Sequence, residues 1–125
     1  MFTYYKLIVA GGRDFSDYTL LSEKLNNVRS VLWEHNIADD LEIVCGKARG
    51  ADTLGETWAK KNHVGVKYFP ADWDEYGKSA GYRRNGDMAN YADALIAFWD
   101  GESRGTAHMI NLATEKDLTV MVVRY

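Results

Sequence analysis

Four segments of this chain bring glycine together with guanidinium, ammonium and carboxylate groups. They are Gly11-Gly12-Arg13-Asp14, then Gly46-Lys47-Ala48-Arg49-Gly50-Ala51-Asp52, then a longer stretch holding Asp72, Trp73, Lys78, Gly81, Arg83, Arg84 and Asn85, and last Asp100-Gly101-Glu102-Ser103-Arg104-Gly105-Thr106. Five of the seven arginines lie in them; Arg29 and Arg124 do not. Glycine lets a backbone approach a ligand closely. A guanidinium grips a phosphate through two parallel charge-assisted hydrogen bonds. A helix N-terminus behind such a loop offers unpaired N–H groups and partial positive charge. The chemistry this combination supports is anion binding. Taken singly, each segment has a plainer reading: Gly11-Gly12 as a turn, Ser103–Thr106 as a helix start, Asp14 and Asp52 as helix caps, Trp73 as a packed loop residue. Four of them on one edge of a fold argue for a ligand site.

The intervening residues supply that edge. Tyr4 to Ala10 is short, apolar and rich in strand formers, and it stops at Gly11-Gly12. Leu21, Leu25, Val28 and Leu32 recur at helical spacing, so a helix is expected from about Asp17 to His35, with Ser16 or Asp17 as its N-cap. Leu41 to Cys45 reads as a second strand, Asp52 to Asn62 as a helix, and Val64 to Phe69 as a third strand closed by the only proline, Pro70. Residues 71–80 read as irregular. A helix is expected over Gly81 to Tyr91, a strand over Ala94 to Trp99, a helix over Thr106 to Lys116 and a fifth strand over Leu118 to Val123. Alternating strands and helices mean parallel crossovers with helices on both sheet faces. The fold class is therefore α/β, a Rossmann-like three-layer sandwich with a five-stranded, mostly parallel sheet in the order 3-2-1-4-5. Every strand-to-helix loop then lies at the C-terminal edge of the sheet, and these are the four segments above.

Composition narrows the function classes. A chain of 125 residues, 46% hydrophobic, fits a single domain over 1–125 with a packed core. The net charge of -3 argues against a general binder of duplex nucleic acid, which needs a basic face. The single cysteine, Cys45, closes an apolar run and reads as a small buried hydrophobe in a reducing compartment. His108 has no partner at metal-ligand spacing, so no metal is expected. No apolar run approaches the ~20 residues of a membrane span, and a cytoplasmic location is expected.

In order along nearly the whole chain, Gly-Gly-Arg-Asp-Phe at 11–15, Gly-Lys-Ala-Arg-Gly-Ala-Asp at 46–52, Pro-Ala-Asp-Trp at 70–73, the Gly81 to Met88 segment and Ser-Arg-Gly-Thr at 103–106 resemble the YspA-like (YpsA-related) branch of the SLOG superfamily. That branch includes many bacterial and phage proteins, and the resemblance implies binding or sensing of a nucleotide-derived ligand. Arg84 to Met88 is also similar to the Arg-Lys-x-x-Met helix of the LOG enzymes, phosphoribohydrolases of cytokinin nucleotides. Glu102 to Thr106 is similar to their Gly-Gly-x-Gly-Thr loop. Arg84 then falls where those enzymes carry a catalytic arginine, and their glutamate falls at Met109. Methionine can act neither as acid nor as base, nor stabilise by charge the ribosyl cation formed as an N-glycosidic bond breaks. The resemblance therefore implies binding without cleavage, unless Glu102, Asp14 or Asp52 substitutes. Residues 46–52 are also similar to a loop of the DNA-processing protein A family, whose members bind single-stranded DNA.

The candidate ligand site comprises Gly11, Gly12 and Arg13 on the floor, Gly46, Arg49, Gly50 and Asp52 in the second loop, Trp73, Arg84 and Asn85 in the third, and Ser103, Arg104, Gly105 and Thr106 in the fourth. Phosphates are expected at the backbone of Gly105-Thr106 and the side chains of Arg84 and Arg49, with Trp73 or Tyr82 stacked on a base. The ligand class is a phosphate-bearing nucleotide or derivative, ADP-ribose-like or a nucleoside monophosphate, with no separate cofactor. The alternatives are an N-glycosidase acting on nucleoside monophosphates and a single-strand nucleic-acid binder. A homodimer is expected, nucleic acid and membrane are not expected as partners, and a phage-encoded copy would work in the host cytoplasm.

Overall fold

The computed structural model describes all 125 residues. Five strands, β1 (Tyr4–Gly11), β2 (Asp40–Cys45), β3 (Gly65–Tyr68), β4 (Ala94–Trp99) and β5 (Thr119–Arg124), form one sheet in the order β3-β2-β1-β4-β5. Every neighbouring pair is parallel, with registers such as Leu7 opposite Ile43 and Ala94. Order and direction agree with the sequence reading.

The helices are α1 (Tyr18–Glu34), α2 (Ala51–Lys61), α3 (Trp73–Tyr76), α4 (Ala80–Tyr91) and α5 (Arg104–Glu115). Alternation along β1 divides its side chains between two cores. Leu7 and Val9 pack with Leu21, Leu25 and Trp58 of α1 and α2. Ile8 and Ala10 pack with Met88, Ala89, Met109 and Ala113 of α4 and α5. The three layers follow from this division, since a strand buried on both faces needs helices on both.

Several boundaries differ from the sequence reading, each for a local reason. Residues 71–80 are not irregular: Asp72 caps α3 by accepting from the Glu75 N–H at 3.1 Å, and a 3-10 turn over Gly77–Ser79 leads into α4. The third strand is shorter than expected because the Val64 N–H turns back to the Ala59 carbonyl at 2.8 Å instead of joining the ladder. Helix α5 begins at Arg104, with Ser103 as its N-cap residue. Asp17 caps α1 by accepting from the Leu20 N–H at 3.0 Å. No helix is long and apolar enough to cross a membrane.

Candidate functional site

The loops after β1, β2, β3 and β4 meet at the C-terminal edge of the sheet around two adjoining cavities. The outer one has a volume of about 630 Å³ and the inner one about 470 Å³. Arg13, Ala48, Arg84, Asn85 and Gly105 line both, so the two form one cleft. Of the other expected site residues, Gly46, Arg49 and Trp73 line the outer cavity. Gly11, Gly12, Asp52, Ser103 and Thr106 line the inner one. Gly50 and Arg104 line neither. Gly50 has φ 73°, in the left-handed region, and a side chain there would overlap the Gly12 carbonyl; it joins two loops instead of facing a ligand. Arg104 is exposed at the start of α5.

Asp52 shapes the second loop. It is only 5% exposed, and its Oδ2 accepts from the backbone N–H groups of Gly46 at 3.0 Å and Ala48 at 3.2 Å. It is thus a clasp across the loop, not the cap of α2, whose N-cap residue is Gly50. Burial pushes its pKa up to about 6, against the pull of the two N–H donors and the Arg84 charge. Asp100 plays a similar part in the fourth loop, accepting from the N–H groups of Glu102 and Ser103, each at 2.8 Å. Those two donors hold its carboxyl below the usual carboxylate range. Asp14 caps no helix either: its Oδ1 accepts from the Tyr125 hydroxyl at 2.6 Å, tying the first loop to the last residue. Burial, and then this carboxylate, push the Tyr125 phenol up to about 12.

Arg84 stands where the two cavities meet. Its guanidinium donates to the Gly46 carbonyl through Nη1 and to Asn85 Oδ1 through Nε at 3.1 Å. A Cβ at residue 46 would come within 2.6 Å of Arg84 Nη1 and 2.8 Å of its Cδ, so a side chain there would displace the guanidinium from this position. Asn85 is buried and its Nδ2 faces His108 Nδ1 at 3.2 Å. Burial lowers the His108 pKa, favouring the neutral ring that can accept from Asn85. Arg13, Arg49 and Lys78 are exposed at the cleft and form no ion pair within the chain. Lys47 lies 3.6 Å from Glu56 and over the Tyr68 ring. Trp73 and Tyr82, 55% and 49% exposed, stand on the outer rim. Met109, where a LOG-type glutamate would fall, is buried and lines the inner cavity. No group of three or more His, Cys, Asp and Glu side chains is placed to hold a metal ion.

The expected site set omitted Asp14, Lys47, Lys78 and Asp100, which also line the cleft. All four lie in or beside the loops the sequence points to. Asp100 followed by Gly101 just after a strand is a signal for a side chain that bonds its own turn.

The model of the YspA, cpYpsA-related SLOG family matches residues 5–76, more than half of the chain. The chain belongs to this family. The match spans the first three loops up to α3, while Arg84 and residues 103–106 of this SLOG chain lie beyond it. A curated relative, the Gene 61 protein of Mycobacterium phage D29, is 31% identical over 122 residues, covering 93% of this chain and 94% of the phage protein. Among solved structures, DNA processing protein A of Streptococcus pneumoniae superposes with a TM-score of 0.72 at 21% identity over 95% of this chain. The SLOG chain spans only 50% of that protein's length. DNA processing protein A of Helicobacter pylori, described for its single-stranded DNA binding mode, superposes with a TM-score of 0.64 at 18% identity, over 96% of this chain and 65% of the other. At such identities these likenesses establish the shared fold.

Proposed function

We propose that the cleft binds a phosphate-bearing nucleotide or nucleotide derivative without cleaving it. The observation that carries this reading is the set of cations without ion pairs, Arg13, Arg49 and Lys78, gathered at one cleft of a chain whose net charge is -3. Cations converging on one cleft raise the local positive potential there, which attracts an anionic ligand even to a protein of net negative charge. The cleft lies where open parallel sheets bind ligands, outside the C-terminal ends of the strands. Binding without cleavage is supported by Met109, which offers the inner cavity a thioether in place of a carboxylate. Calorimetric titration with nucleoside monophosphates, ADP-ribose and an oligothymidine tests the reading. Arg49→Ala is expected to weaken binding at least about tenfold, while Lys116→Ala, at the far end of α5, leaves it unchanged. Affinity equal in both variants refutes this placement. Release of free base from a nucleoside monophosphate would instead establish the N-glycosidase.

A second reading, single-stranded DNA binding, is favoured by the rim, where exposed Trp73 and Tyr82 can stack on bases beside cations. The Helicobacter pylori structure, whose description names that ligand, shares the fold. Oligothymidine affinity that falls steeply with salt, with no binding of mononucleotides, is the result that selects it. The proposal extends to a homodimer, read by light scattering at micromolar concentration.

A further inference from the structure

The charges of the cleft are segregated. The outer cavity is lined by Arg13, Lys47, Arg49, Lys78 and Arg84 and by no carboxylate. The inner cavity shares Arg13 and Arg84 at its mouth and adds Asp14, Asp52 and Asp100. We infer that the ligand is a nucleoside with two or more consecutive phosphates, seated with the phosphates in the outer cavity and the nucleoside in the inner one. This deepens the nucleotide-binding reading and rests on it.

Backbone N–H groups at loops and helix N-termini are the usual alternative anchor for a phosphate. Here the chain's own carboxylates have taken four of the loop N–H groups, while the first turns of α2 and α5 carry no side-chain cap. Asp100 accepts from Glu102 and Ser103 in front of α5, and Asp52 accepts from Gly46 and Ala48 in front of α2. A phosphate in the inner cavity would meet the like charge of Asp14, Asp52 and Asp100, whichever N–H groups it reached. In the outer cavity it meets only cations. A single phosphate presents one compact set of three terminal oxygens to side chains that reach the cavity from the first, second and third loops. A chain of two or three phosphates can meet Arg13, Arg49 and Lys78 at once.

The inner cavity suits a nucleoside for the complementary reason. The Oδ2 atoms of Asp14 and Asp100 and the Oδ1 of Asp52 have no hydrogen-bond partner within the chain. Such oxygens accept from hydroxyl or amino donors, which a ribose diol or a base edge supplies. Met88 and Met109 add adaptable apolar surface on the same wall. A nucleic-acid strand threaded through the cleft would have to carry its next phosphate past these carboxylates. A nucleotide whose charge ends in the outer cavity does not.

Calorimetry with adenosine, AMP, ADP and ATP, repeated with the guanosine series, tests the seating. Affinity is expected to rise at least about tenfold from monophosphate to diphosphate. Lys78→Ala should remove most of that increment, while Lys116→Ala, away from the cleft, leaves the whole series unchanged. Asp100→Asn retains an oxygen acceptor for the two loop N–H groups, and it should weaken nucleoside and nucleotides alike. Monophosphate binding as tight as diphosphate binding, or tighter nucleotide binding by Asp100→Asn, overturns the seating and leaves the nucleotide reading standing. Binding of oligothymidine with no member of either series bound overturns both.

Discussion

Asp52→Asn is expected to gain stability relative to the wild type as pH rises from 4 to 7. The carboxyl is held at 5% exposure under the second loop, and burial raises its pKa from an ordinary 3.8 to about 6. That shift corresponds to about 3 kcal/mol of preference for the neutral form in the folded state. A raised carboxyl pKa contributes stability that is fully present below about pH 4. The contribution is lost as pH climbs towards 6, because the unfolded chain ionises freely while the folded one resists. Asparagine keeps an oxygen able to accept from Gly46 and Ala48 and carries no charge, so the variant lacks this loss. The two proteins should lie close at pH 4 and diverge by up to about 3 kcal/mol, in favour of the variant, by pH 7. His108, whose pKa is lowered by burial, loses stability in the opposite direction as pH falls, but it does so in both proteins and cancels in the difference. Urea unfolding at several pH values, followed by tryptophan fluorescence, reads the midpoints and slopes that give each free energy. A constant difference across the range would refute the reasoning. So would a wild type that gains on the variant as pH rises. A uniform offset from imperfect packing of the amide leaves the pH dependence intact.

Gly50→Ala combines a positive φ with overlap on the Gly12 carbonyl, so a loss of at least about 1–2 kcal/mol is expected in the same unfolding assay. Cys45 is buried, and desolvation with the nearby Asp52 charge pushes its thiol up to about 11. It should resist a disulfide reagent at pH 8 in the native protein and react promptly in denaturant, as followed by absorbance. Arg29→Ala breaks a two-point pair with Asp40, both contacts at 2.8 Å, and removes the guanidinium from the Trp33 ring. A stability loss of about 1–3 kcal/mol is expected, with nucleotide affinity unchanged by calorimetry.

The sequence by itself determined the layers, the strand order and the edge on which the loops gather. These follow from local quantities: helical spacing of Leu21, Leu25, Val28 and Leu32, unbroken apolar strand runs, and glycines at the strand ends. Right-handed crossovers convert that alternation into one sheet order. Tertiary structure decided which loop residues are free to meet a ligand. Gly50 and Arg104 belong to the same motifs as Arg49 and Gly105, but backbone conformation and helix position turn them away from the cleft. Arg84 and Gly46 are 38 positions apart, and Asp14 and Tyr125 are 111 apart, yet each pair is bonded. Asp52 could be a cap or a clasp until the path of its loop was known. Periodicity reports on neighbours along the chain. Hydrogen bonding, desolvation and charge compensation depend on neighbours in space, and these separate a cationic outer cavity from an acidic inner one.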